Sequence, residues 1–216
     1  MKFLVPIATL LAFSSVSADV LYDAGPGVRD TFACDSGPDA CLLIGGEYWT
    51  VYDDFSLQSD AKVSGFSFVD AVFHGTPAQN YVSTTWSLYA SDPSLGADAI
   101  AAGTSVASVS PYPYMSAYQF DVEIPSIDLN AGVYWLGISN TLTMGAESTP
   151  VGAASTQPSL TPGFYQYSPT TSFWYQNVGD RSMQVYGISA VPEPSVMSLL
   201  ALGLLGLAWG VTRRRQ

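Results

Sequence analysis

Asp121 and Glu123 alternate with apolar residues in Tyr118-Gln119-Phe120-Asp121-Val122-Glu123-Ile124. On a β-strand, side chains two residues apart share a face and lie roughly 7 Å from each other. Two carboxylates at about 5–10 Å are the equipment of glycoside hydrolysis. The spacing is unspecific, because any polar strand face produces it, and no Glu-x-Asp-x-x-Glu pattern accompanies it. His74, the single histidine, stands in Phe73-His74-Gly75-Thr76-Pro77. A serine or cysteine nucleophile needs a base held in place by a third group. There is no Gly-x-Ser-x-Gly elbow for His74 to serve, so we expect no catalytic site.

Binding chemistry has more candidates. Asp53 and Asp54 are adjacent, and with Asp70 or Asp180 they are candidate calcium ligands, since calcium takes several carboxylate and carbonyl oxygens. No Asp-x-Asp-x-Asp-Gly loop is present, so adjacent acids in a solvated turn are the default expectation, with no cofactor required. Cys34 and Cys41 are the two cysteines and enclose the turn-rich Asp35-Ser36-Gly37-Pro38-Asp39-Ala40. In an oxidising compartment an even count predicts a disulfide. Zinc would need further Cys or His ligands, and His74 is alone. Trp174 lies in Phe173-Trp174-Tyr175, near Tyr165 and Tyr167. A ring cluster with flat apolar faces and polar edges is a platform for sugar rings. These three residues are the candidate glycan surface, whereas Trp86 and Trp135 sit within strands and are expected in the core.

Composition narrows the partners. Of the 216 residues, 48% are hydrophobic, 13% aromatic and 12% charged, with a net charge of −11. Few charges with many aromatics is not the signature of disorder. Between residues 19 and 190 the cations are Arg29, Lys62 and Arg181. Phosphate backbones are bound by clustered Lys and Arg, so nucleic acid is excluded as a partner.

The elements that must position these residues are short strands. Strands are expected around residues 48–52, 62–69, 84–90, 118–124, 132–138, 172–175 and 183–188. The segment 132–138 is apolar on both faces and reads as a central, doubly covered strand. Turn residues separate the strands at Ser91-Asp92-Pro93, Leu129-Asn130-Ala131-Gly132, Thr161-Pro162-Gly163 and Val178-Gly179-Asp180. Residues 98–102 suggest a brief helical turn, and 143–162 a long surface loop. The fold class is all-β, an antiparallel β-sandwich or jelly-roll-like domain, plus a C-terminal transmembrane helix.

The ends carry targeting signals. Lys2, an apolar run over 3–13 and the small residues Val16-Ser17-Ala18 form the three parts of a signal peptide, cleaved after Ala18. At the other end, Val191-Pro192-Glu193-Pro194 precedes an apolar run over 196–211, and Arg213-Arg214-Arg215 closes the chain. The run is near the lower limit of about 17 residues for a membrane span, and the arginines would stay on the cytoplasmic side. The order of triplet, apolar run and arginines resembles the PEP-CTERM sorting signal of exported proteins in Gram-negative bacteria, many of them makers of extracellular polysaccharide. That resemblance implies an exosortase as partner, a membrane-embedded cysteine enzyme that processes the chain near Pro192-Glu193-Pro194. The middle resembles, at the level of pattern, sandwich modules found upstream of such tails, in Tyr52-Asp53-Asp54-Phe55, Trp86-Ser87-Leu88-Tyr89 and Ala131-Gly132-Val133-Tyr134-Trp135-Leu136.

The expected organisation is a signal peptide at 1–18, an extracytoplasmic sandwich at 19–190 and a sorting signal at 191–216. The expected route is export, an inner-membrane stage held by the C-terminal helix during sorting, then the cell surface or extracellular space. The expected function is a non-catalytic, structural surface or biofilm-matrix protein. The alternatives are a carbohydrate-binding module on exopolysaccharide and, after it, a small polysaccharide-acting enzyme.

Overall fold

A computed structural model describes residues 18–27, 29–34, 49–72, 81–113, 117–142, 151–156, 162–168 and 172–190. The strands in chain order are β1 (Asp19–Asp23), β2 (Arg29–Cys34), β3 (Thr50–Leu57), β4 (Ala61–Val72), β5 (Tyr81–Tyr89), β6 (Ala99–Ser105), β7 (Ser108–Pro111), β8 (Ala117–Leu129), β9 (Gly132–Leu142), β10 (Val151–Ser155), β11 (Pro162–Ser168), β12 (Phe173–Val178) and β13 (Met183–Ser189). One 3-10 turn, Pro93–Leu95, is capped by Asp92, whose carboxylate accepts the Ser94 N–H at 2.8 Å, and it ends at Gly96 with φ +84°.

The strands form two antiparallel sheets. The 7-stranded sheet runs β1-β13-β4-β10-β2, with β8 on the other edge of β4 and β7 beyond it; the 6-stranded sheet runs β12-β11-β3-β9-β5-β6. Period-2 alternation supplies the inner faces. Phe66, Phe68, Phe120, Val122, Met183 and Val185 come from the first sheet and meet Phe55, Leu57, Trp86, Leu88, Leu136 and Ile138 from the second. The Phe68 and Phe120 rings stack at 5.1 Å with 2° between their planes. Burying each such large side chain stabilises the fold by about 1.5–3 kcal/mol.

The sandwich and the strand alternation of 118–124 agree with the sequence. Phe120 and Val122 are buried, Tyr118 and Ile124 are half-buried, and Glu123 faces solvent. Residues 98–102 are not helical: Ala99 to Ser105 form the edge strand β6, and the brief helical turn lies just before it. The expected loop 143–162 contains β10, a strand of small residues between β4 and β2; residues 143–150 and 157–161 lie outside the described residues. β9 is central, between β3 and β5; its inner face meets the core and its outer face is only partly covered. Leu136 and Ile138 point inward, whereas Val133, 55% exposed, and half-buried Trp135 face out.

The expected C-terminal transmembrane helix is corrected. Among the described residues, no helix is long and apolar enough to cross a membrane. The segment expected to do so, 196–211, lies outside the described residues. The membrane as a partner and the inner-membrane stage both rested on that helix, and no described helix supports them. The expected disulfide is corrected as well: no disulfide occurs among the described residues. Cys34 is held by its strand, its backbone opposite Gly152 of β10, and Cys41 lies outside the described residues, as do His74 and residues 1–17.

Candidate functional site

The outer face of the 6-stranded sheet collects aromatic rings. In β3 the residues Val51, Asp53, Phe55 and Leu57 are buried inward, which turns Tyr52, Asp54 and Ser56 outward. Tyr52 stands opposite Gly137 of β9. A β-carbon at Gly137 would lie 2.5 Å from Cε1 of Tyr52 and 2.6 Å from the Ser87 hydroxyl. Glycine there lets the phenol ring cross β9 and reach Tyr89, at 5.8 Å between centroids. On its other side Tyr52 meets Trp174 at 5.2 Å, and Trp174 meets Tyr167 at 4.5 Å and 34°. The hairpin β11–β12 sets this register, with Tyr167 opposite Trp174 and Tyr165 opposite Tyr52.

The result is a row of rings, Tyr167, Trp174, Tyr52 and Tyr89, across one sheet surface. Tyr52 is buried beneath the others, which are half-buried. Ring pairs of this kind stabilise by about 0.5–1.5 kcal/mol each beyond their buried area. Burial, then the neighbouring Tyr89, pushes the Tyr52 phenol above the ordinary tyrosine range. Tyr52 therefore stays uncharged at neutral pH, and the row offers ring faces for apolar C–H surfaces and hydroxyls for hydrogen bonds.

Behind the row, at one end of the core, a polar network joins the sheets. The Arg181 guanidinium donates to Asp70 at 2.7 Å and lies over the Phe68 ring, 4.6 Å from its centroid. Asp70 accepts the Asn140 amide at 2.9 Å, and Asn140 accepts the Thr84 hydroxyl at 2.7 Å. The Tyr81 hydroxyl is 2.9 Å from Thr84 and accepts the Ala107 N–H at 2.9 Å. Arg181, Asp70, Asn140 and Thr84 are all buried. The network clamps the sheets.

Asp53 belongs to this end. Its carboxylate accepts the Arg181 N–H at 2.6 Å and the Asp54 N–H at 3.0 Å. Burial, with Asp180 and Asp54 adding repulsion, holds its pKa well above the usual carboxylate range despite those two bonds. Half-buried Asp54 is raised too, by burial and then by Asp180. Among the described residues, no group of three or more His, Cys, Asp or Glu side chains is arranged to hold a metal ion. Asp121 accepts the Gln119 amide at 2.7 Å on the outer face of the other sheet, and Glu123 is exposed.

The structure thus brings Trp174 and Tyr167 together and aligns Tyr165 with them in register. It moves Trp135 from the core to the outer face, while Trp86 is core as expected. The sequence reasoning missed Tyr52, Tyr89 and Gly137. Their signal is the outward phase of β3 and β5, where Tyr52 alternates with buried Val51 and Asp53, and Tyr89 follows buried Leu88.

No curated protein matches the chain. A family comparison matches residues 190–215 to the PEP-CTERM protein-sorting motif. The match takes in Pro192, Glu193, Pro194, Arg213, Arg214 and Arg215 and starts where β13 ends, at Ser189. The chain is an exported, largely β-structured protein that carries a PEP-CTERM sorting motif, as is typical of exosortase substrates.

Proposed function

We propose that this protein is a non-catalytic structural component of the cell surface or extracellular matrix, and that its sandwich holds extracellular polysaccharide on the outer face of the 6-stranded sheet. The observation that carries this reading is the ring row Tyr167–Trp174–Tyr52–Tyr89, in which the Tyr52 ring crosses Gly137. An uncharged aromatic strip suits a polymer of sugar rings, whose C–H faces stack on it while the tyrosine hydroxyls bond to the rim. The sorting motif supports the destination. An enzyme reading has less support: Asp121 and the exposed Glu123 line one open cleft, but Asp121 is engaged by Gln119.

The test is calorimetric titration of the purified protein with the extracellular polysaccharide of its own host, with and without calcium. Saturable binding, weakened at least about tenfold in Trp174→Ala, is expected; that factor corresponds to about 1.4 kcal/mol, the scale of one lost ring contact. Calcium-independent binding would remove Asp53 and Asp54 from consideration as ligands. No binding in either condition would leave the aromatic row without a glycan role.

A further inference from the structure

The opposite sheet carries a second site of different chemistry. On the outer face of the 7-stranded sheet, a cleft of about 200 Å³ is lined by Asp23, Ser67, Tyr112, Gln119, Ser182 and Gln184, with Val69 and Pro26 adding apolar wall. The strand registers build it. Ser67 of β4 stands opposite Gln184 of β13, and Val69 stands opposite Gln119 of β8. Phe66, Phe68, Phe120 and Met183, the alternating neighbours, all point into the core.

The walls are held before any ligand arrives. Asp23 accepts the Gly25 N–H and the Gln184 amide, each at 2.8 Å. Ser182 donates to the Gly25 carbonyl at 2.9 Å, and the Tyr112 hydroxyl accepts the Gly27 N–H at 3.2 Å. Tyr186 donates to Oε1 of Gln184 at 2.6 Å, and Gln119 donates to Asp121 at 2.7 Å. Bonding capacity remains. Among the described residues, Oε1 of Gln119, the second N–H of Gln184 and the Tyr112 O–H make no hydrogen bond.

We propose that this cleft binds a single neutral pyranose residue. Its volume is below the roughly 300–1,000 Å³ of pockets that enclose drug-sized ligands, which limits the occupant to about one ring. Its lining mixes acceptors and donors, and each sugar hydroxyl is both. Among the described residues of the lining Asp23 is the charged group and no cation offsets it, so uronates and phosphates are repelled. Both Asp23 oxygens already accept protein N–H groups, which disfavours a metal. Tyr112, Val69 and Pro26 give the ring's C–H face an apolar wall. With the aromatic row on the other sheet, the domain has a sugar site on each outer face and bridges two polymer chains. The bridging rests on the function proposed above; the cleft does not.

The experiment is 15N NMR of the full-length protein titrated separately with glucose, galactose, mannose, N-acetylglucosamine and galacturonate. A one-ring ligand of this size binds with Kd on the order of 1 mM. Saturable shifts of the Gln119 and Gln184 side-chain amides are expected with at least one neutral sugar and not with galacturonate. Gln119→Ala, checked for native signal dispersion, should remove the response, and Gln119→Asn should weaken it several-fold. Trp174→Ala should leave it intact while weakening polysaccharide binding, which separates the two sites. No neutral sugar shifting either amide by about 100 mM, a hundred times the expected constant, would overturn the proposal. So would stronger binding of galacturonate, or shifts that survive Gln119→Ala.

Discussion

Tyr52 and Gly137 face each other across the β3–β9 ladder, and the tyrosine ring occupies the space a side chain at 137 would fill. Gly137→Ala should therefore displace the ring instead of settling beside it. Overpacking of this kind costs about 1–3 kcal/mol. Urea unfolding should show that loss, near-UV circular dichroism should show an altered tyrosine environment, and polysaccharide binding should weaken together with both.

Gly187 is tighter still, and for a different reason. Its missing β-carbon would strike the Lys62 carbonyl, a backbone atom of the neighbouring strand, at the register shift between β13 and β4. A backbone atom cannot rotate away. Gly187→Ala should cost about 3 kcal/mol or more, measured by the same unfolding curves. A loss below about 0.5 kcal/mol would mean that the ladder shifts freely at this point.

The Arg181–Asp70 pair is fully buried, with side chains 1% and 0% exposed. Arg181→Met leaves the Asp70 carboxylate without its cation and should destabilise by about 3–5 kcal/mol. The double variant Arg181→Met, Asp70→Leu removes both charges and should recover part of that loss, although Asn140 then loses its acceptor. Chemical denaturation of the two variants in parallel decides between a net-stabilising pair and one that mainly fixes the sheet alignment.

Asp53 makes stability depend on pH in an unusual direction. Burial raises its folded pKa above the unfolded value of about 3.9. Its contribution is then fully present below that unfolded value and is lost as pH rises through the folded pKa. Asp54, also raised, acts in the same sense. The urea midpoint of the native chain should fall as pH climbs from about 4, and Asp53→Asn should flatten that fall. An unchanged slope in the variant would assign the effect elsewhere.

Processing is testable apart from the domain. With Pro192, Glu193 and Pro194 replaced by alanine, the protein should accumulate in its host at the mass of the unprocessed precursor. Normal processing of that variant would show that the matched motif is not what the sorting enzyme reads.

Much of the sandwich was legible because alternation survives wherever one face is apolar and the other polar, as in β8. It failed where both faces carry rings. In β9 the run Val133-Tyr134-Trp135-Leu136 looks doubly covered, yet Val133 and Trp135 face out. The clamp was hidden for the converse reason. Asp70 continues the inward series of Phe66 and Phe68, Thr84 that of Trp86 and Leu88, and Asn140 that of Leu136 and Ile138. A polar residue in an apolar series marks a buried network only when its partners on other strands are known, and those partnerships are long-range. Trp174 and Tyr167 were found from local clustering, whereas Tyr52 joins them through the β11–β3 pairing, which sequence spacing does not show.

β13 is flanked by β1 and β4, and the Ala190 N–H that follows it donates to the Asp60 carbonyl at 2.8 Å. The sorting motif begins at that same residue. Any tension reaching the domain through its tail enters along the axis of an interior strand. The ladders on both sides of β13 then bear the pull together, in shear, and do not open one bond at a time. Were the tail a tether, its load path would be built into the strand order.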